Sequence, residues 1–86
     1  KVDELNTNED LFMYPNPVIS EFTVATLNPN FTIQQVQIYD VTGKLLISSP
    51  IESTSTHFNM TPFSQGIYFV KITINNQTIT KKILKL

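Results

Sequence analysis

The chain has 86 residues, 41% of them hydrophobic, a net charge of −1 and no cysteine. That length fits one domain with a modest core, about 60% of the unfolded surface being buried at this size. The missing cysteines exclude disulfides, thiolate chemistry and Cys-ligated metal sites. Every cation is a lysine, so there is no arginine fork for phosphates, and the near-neutral balance gives no nucleic-acid footprint.

The distribution of charge is more informative than its total. Residues 1–60 hold Lys1 and Lys44 against seven acids, a net of −5, whereas residues 61–86 hold Lys71, Lys81, Lys82 and Lys85 with no acid, a net of +4. No apolar run approaches the ~18 residues of a membrane helix, and no signal peptide opens the sequence. The first residue is lysine, and the chain reads as a piece of something longer.

Residues 1–10 are polar and acidic, with Val2 and Leu5 too sparse to define a buried face; they read as a linker ahead of a domain at 11–86. Leu11–Tyr14 is a short apolar run closed by Pro15-Asn16-Pro17, which forbids helix and predicts a first strand ending in a fixed turn. Glu21–Leu27 alternates around Phe22 and Val24 and stops at Asn28-Pro29-Asn30. Ile33–Asp40 alternates again. Asp40-Val41-Thr42-Gly43 then places a side-chain acceptor at the start of a type I turn and glycine at the left-handed bulge position, so Lys44–Ser48 pairs back with Ile38 opposite Leu46.

Ser49–Thr56 holds Pro50 and many hydroxyls and reads as a crossing loop, followed by a weak strand over residues 56–60. Thr61–Gly66 is a turn region. It delivers the chain into the closing hairpin, where Tyr68, Val70, Ile72 and Ile74 share one side and Ile79, Lys81, Ile83 and Lys85 return along it. A turn centred on Asn76-Gln77 sets Ile74 against Ile79 and Val70 against Ile83, at the cost of Lys71 facing Lys82.

Seven short runs at roughly ten-residue spacing, without helical periodicity, predict an all-β fold: an immunoglobulin-like antiparallel β-sandwich. The expected core is Phe22, Val24, Val36, Ile38, Leu46, Tyr68, Val70, Ile72, Ile74, Ile79 and Ile83.

Catalytic chemistry has little to stand on. The single histidine, His57, lies in a Ser/Thr-rich stretch without a nucleophile-elbow pattern and reads as a partly exposed strand residue. One histidine without cysteine does not make a zinc site. Asp3, Glu4, Glu9 and Asp10 lack the spacing and glycine of a calcium loop, and Gly43 and Gly66 are too far apart to cradle a phosphate. No cofactor or metal is expected. Three Asn-x-Thr matches begin at Asn30, Asn59 and Asn76 and are uninformative in so Asn- and Thr-rich a chain. Phe31, Tyr39 and Phe69 are the aromatics available for a sugar platform, which keeps an adhesive or carbohydrate-binding module as the alternative function.

Four pieces carry a family likeness: Leu11–Pro17, Val36–Lys44, Gly66–Ile72 and Lys81–Leu86. In this order they resemble the C-terminal sorting domains of the bacterial type IX (Por) secretion system, type A-like, over residues 11–86. The resemblance implies a non-enzymatic signal at the end of a larger cargo protein from the Bacteroidetes group. It implies passage through the periplasm, recognition by a secretion receptor and outer-membrane translocon, and removal by a sortase-like peptidase near the acidic linker. The cargo would finish at the cell surface or secreted.

By that likeness Gly66, Tyr68, Lys81, Lys82 and Lys85 are the candidate recognition residues, and Pro15, Asn16, Pro17, Asp40 and Gly43 shape turns. Lysines on an end strand have a second reading as protection of a sheet edge, and exposed hairpin edges would permit a strand-mediated homodimer.

Overall fold

The computed structural model describes residues 10–86, which form seven strands. They are β1 (Leu11–Tyr14), β2 (Glu21–Thr26), β3 (Ile33–Tyr39), β4 (Leu45–Ser53), β5 (Ser55–Asn59), β6 (Gly66–Ile74) and β7 (Gln77–Lys85). Two antiparallel sheets result, one ordered β1-β2-β5 and the other β4-β3-β6-β7. Sheets of this kind bury one face each, and the period-two patterns of β2, β3 and β6 supply those faces. Residues 1–9, most of the expected linker, lie outside the described residues.

The predicted core holds, with additions. Phe22, Val24, Val36, Ile38, Tyr68, Val70, Ile72, Ile74 and Ile83 are buried, while Leu46 and Ile79 pack half-buried against them. Leu11, Val18, Ile33, Phe58 and Met60 join the same cluster. The Phe22 and Phe58 rings lie 5.6 Å apart in a tilted pair that helps close the three-stranded sheet over the core.

Three local expectations are corrected. First, the segment read as a crossing loop is strand: β4 runs nine residues, straight through Pro50, before Thr54 carries the chain to the other sheet. Being an edge strand of its sheet, β4 tolerates a proline that a central strand would reject. Second, Ile38 faces Ile47 rather than Leu46, because a bulge between Ile38 and Tyr39 shifts the register by one. This is the extra residue that the Gly43 turn introduces.

Third, the closing hairpin turns at Asn75-Asn76. Both residues have positive φ, 52° and 60°, as a two-residue type I′ turn requires, and asparagine adopts that conformation more readily than Gln77 does. The pairs become Ile72 with Ile79, Val70 with Lys81, Phe69 with Lys82 and Tyr68 with Ile83. Lys71 now faces Thr80, so the expected lysine–lysine repulsion disappears. The shift is by two positions, so each side chain keeps its face. Gln34 steadies the turn, its Oε1 accepting from the Asn76 N–H at 2.8 Å and its Nε2 donating to Asn76 Oδ1 at 3.2 Å.

Candidate recognition site

The Asp40 turn is tied by a single oxygen. Asp40 Oδ1 accepts from the Thr42 hydroxyl at 2.6 Å, the Thr42 N–H at 2.9 Å and the Lys44 N–H at 3.0 Å. The Thr42 hydroxyl and then the Lys44 N–H hold its carboxyl below the ordinary value. Gly43, at φ 91°, closes the turn in a conformation that glycine enters at no steric cost.

Gly66 and Tyr68 organise the loop that follows β5. Gly66 sits at φ 147° with open space where a Cβ would be, so its constraint is the backbone angle rather than crowding. Tyr68 is 5% exposed. Its hydroxyl donates to the Ser64 carbonyl at 2.6 Å, and its ring packs 6.2 Å from Phe63. A tyrosine near the start of the sixth strand that bonds back to the loop before it is the corner seen in immunoglobulin-like domains.

Pro15-Asn16-Pro17 does more than turn the chain. Both X-Pro bonds are cis, and the segment runs beside the outer edge of β7. Asn16 Oδ1 accepts from the Leu84 N–H at 3.1 Å, and Asn16 Nδ2 donates to the Lys82 carbonyl at 3.4 Å. Val18 follows with backbone bonds in both directions, donating to the Leu84 carbonyl at 2.7 Å and accepting from the Leu86 N–H at 2.8 Å. Val18 itself is fully buried. This strap satisfies the outward-facing backbone groups at the end of an edge strand, where open N–H and C=O groups otherwise invite pairing with other chains. Nothing in the spacing of residues 15–18 announces a partner 68 residues on; the only local hint is an isolated valine after two prolines.

The three terminal lysines part company. Lys82 is exposed on the outer face of its sheet, Lys81 is half-buried on the inner side, and Lys85 is 8% exposed. Lys85 Nζ donates to the Leu86 carbonyl oxygen at 2.9 Å. Lys71, on β6, holds its ammonium 5.9 Å from the Tyr39 ring centre, within cation–π range.

The Pro15–Ser20 loop, the Asp40–Lys44 turn, the Met60–Gln65 loop and the end of β7 all meet at one pole of the sandwich. Met60 N–H bonds to the Ser20 carbonyl at 2.7 Å, and Asp40, Leu46, Phe63, Gly66 and Tyr68 line one shallow recess there. The chain arrives at the opposite pole, where the Leu27 N–H bonds to the Asp10 carbonyl at 2.9 Å. Strands of nine residues separate the poles by about 30 Å. Among the described residues nine large apolar side chains are exposed, and seven lie at the motif-bearing pole: Tyr14, Ile19, Val41, Leu45, Ile67, Leu84 and Leu86. Exposed apolar groups concentrated in this way are a feature of binding surfaces.

His57 stands apart, exposed on the three-stranded sheet with its Nδ1 2.8 Å from Thr23 Oγ1. No group of three metal-ligating side chains occurs among the described residues.

The chain is an all-β, immunoglobulin-like sandwich whose sequence motifs and exposed apolar residues collect at one end. The model of the secretion system C-terminal sorting domain matches residues 12–86, and the chain belongs to that family, the type IX sorting domains. An ulvan lyase of Nonlabens ulvanivorans is 31% identical over 68 residues, which are 78% of this chain and 12% of that protein. The fold matches part of PorZ, an essential surface component of the type IX secretion system of Porphyromonas gingivalis, with a TM-score of 0.70 and 22% identity over 88% of this chain and 11% of that one. The chain thus spans about an eighth of the curated relative it matches. It is a non-catalytic signal domain that directs a larger protein through the outer membrane to the cell surface or beyond.

Proposed function

We propose that the motif-bearing pole is the part of the signal that the export machinery reads, while the opposite pole faces the cargo. The observation that carries this reading is the convergence of four separate stretches, Pro15–Ser20, Asp40–Lys44, Met60–Tyr68 and Lys81–Leu86, on one end rich in exposed apolar groups. Residues 1–10 serve as the linker from cargo to the domain at 11–86, and a sortase-like peptidase cuts in or near it once the protein has passed from the periplasm through the translocon.

Within the pole the candidate residues divide by role. Gly66 and Tyr68 set the loop after β5, and the buried Lys85 commits its ammonium to the Leu86 oxygen. Lys82 is exposed and free of such duty, so it is the lysine a receptor meets first.

A reporter fused ahead of the full chain, expressed in a bacterium with this secretion system, tests the reading. Deleting Lys81–Leu86 leaves the reporter in the periplasm; surface delivery of that truncation would refute the proposal. Lys82→Ala lowers export with stability unchanged within about 0.5 kcal/mol, whereas Lys85→Ala lowers the unfolding midpoint as well. Circular dichroism melts of each domain separate the two effects.

A further inference from the structure

We infer that the outer face of the four-stranded sheet, in the half nearest the motif-bearing pole, docks a protein partner that presents an apolar centre ringed by carboxylates. The inference rests on the sorting-signal reading and names the surface through which it works. Its basis is a row of direct cross-strand partners spanning all four strands: Leu45 with Tyr39, Tyr39 with Phe69, and Phe69 with Lys82. Adjacent strands lie about 4.8 Å apart, so the row is about 14 Å wide. Ile67 and Leu84 form the next pair toward the pole, and both are exposed. A shallow groove follows them, with Asn16 on its far side.

The other half of the same face is different. Pro50, Gln35, Thr73 and Thr78 form its corresponding row, the polar pattern usual for the solvent side of an antiparallel sheet. The core is already supplied from the inner side, and the row stays open to solvent: Leu45 is exposed, and Tyr39 and Phe69 are only half-buried. Its charge is one-sided: Lys82 ends the row and Lys71 lies beside it, and no Asp or Glu occupies any paired outward position from Gln35 to Leu84 on β3, β6 and β7. An apolar centre with charge at its rim is the anatomy of a protein interface, and complementarity makes the partner's rim acidic. An anionic lipid surface fits less well, since two lysines bring about 1 kcal/mol each and lipid-binding clusters carry roughly four to eight cations.

The test is export of a reporter fused ahead of the full chain. Phe69→Thr combined with Lys82→Glu should lower surface-displayed reporter about tenfold, equivalent to about 1.4 kcal/mol of lost binding. Lys71→Glu with Lys82→Glu, which keeps Leu45, Tyr39 and Phe69 and gives up only the Lys71–Tyr39 contact, should lower it similarly, with the fold of the purified domain checked by circular dichroism. Thr78→Glu, on the polar half, should leave it unchanged. If both double variants are exported like the parent while deletion of Lys81–Leu86 blocks export, the docking face is refuted and the sorting role stands. If the deletion is exported normally, the sorting role itself fails. The purified fusion is also sedimented with vesicles of phosphatidylcholine and phosphatidylglycerol in equal parts. Failure to co-sediment is expected; co-sedimentation abolished by Lys82→Glu would assign the face to lipid and overturn the protein partner.

Discussion

Asn16 and Leu84, 68 residues apart, are joined by a 3.1 Å hydrogen bond from the Leu84 N–H to the Asn16 side-chain oxygen. That bond, with the Val18 backbone pair beside it, fastens the first loop of the domain to its last strand. Asn16→Ala removes the side-chain half of the strap and should cost about 1 kcal/mol, seen as a fall of about 4–8 °C in the unfolding midpoint of so small a domain. Amide exchange at Leu84 should accelerate far more than at Ile72 in the sheet centre. Equal exchange at Leu84 in parent and variant would show that the strap is incidental.

Gly66 and Tyr68 are separable by chemistry. Gly66→Ala meets no steric obstacle but forces an alanine to φ 147°, costing about 1–3 kcal/mol. Tyr68→Phe keeps the ring on Phe63 and strips the bond to Ser64, costing about 1–2 kcal/mol through the part-buried carbonyl left without its donor. Chemical denaturation of both variants checks the values; a neutral Tyr68→Phe would remove the corner from the list of structural devices.

The position of the closing turn has its own test. With Asn75-Asn76 at the two turn sites, Asn76→Gly supplies the residue most favoured at the second site, and it retains the backbone bond from residue 76 to Gln34. It should raise stability by a few tenths of a kcal/mol, whereas Gln77→Gly, inside β7, should lower it by about 0.5–1 kcal/mol. The reverse order would place the turn at Asn76-Gln77 and restore the Lys71–Lys82 opposition.

Asp40 makes part of the stability depend on pH. Its carboxyl is held below the ordinary value of 3.8, first by the Thr42 hydroxyl and then by the Lys44 N–H. A depressed folded value stabilises the protein fully above 3.8 and is lost as pH falls through the lower folded value. Asp40→Asn keeps an acceptor oxygen and removes the charge. The gap in unfolding midpoint between parent and variant should therefore be widest near neutral pH and close in acid below 3.8. A gap of constant size across that range would assign the difference to geometry alone.

The strand sequence and the core of β2, β3 and β6 were legible because alternation is a local signal, with Phe22, Val24, Val36 and Ile38 announcing their own faces. Leu11, Val18, Phe58 and Met60 were not legible. Leu11 lies in a four-residue apolar run too short to show a face, the others lie among turn or hydroxyl residues, and only the opposite sheet tells each from an exposed one. Pro50 hid the second half of β4, since its tolerance depends on β4 being an edge, which no local pattern states. For the candidate site, the clustering of lysines near the end was plain, but their division was not. Lys85 is buried and Lys82 exposed, and the row through Leu45, Tyr39, Phe69 and Lys82 exists only once four strands are in register.

The strap also sets a condition on when the signal exists. Neither Asn16 nor Val18 has its partners until the segment through Leu86 is laid against them, and contacts this distant in sequence carry a large loop-closure cost. A chain that stops short of Leu84, or is clipped there, leaves the first loop untethered and the pole unbuilt. The first loop and the last strand of the domain are thus ordered together, through one hydrogen-bonded seam.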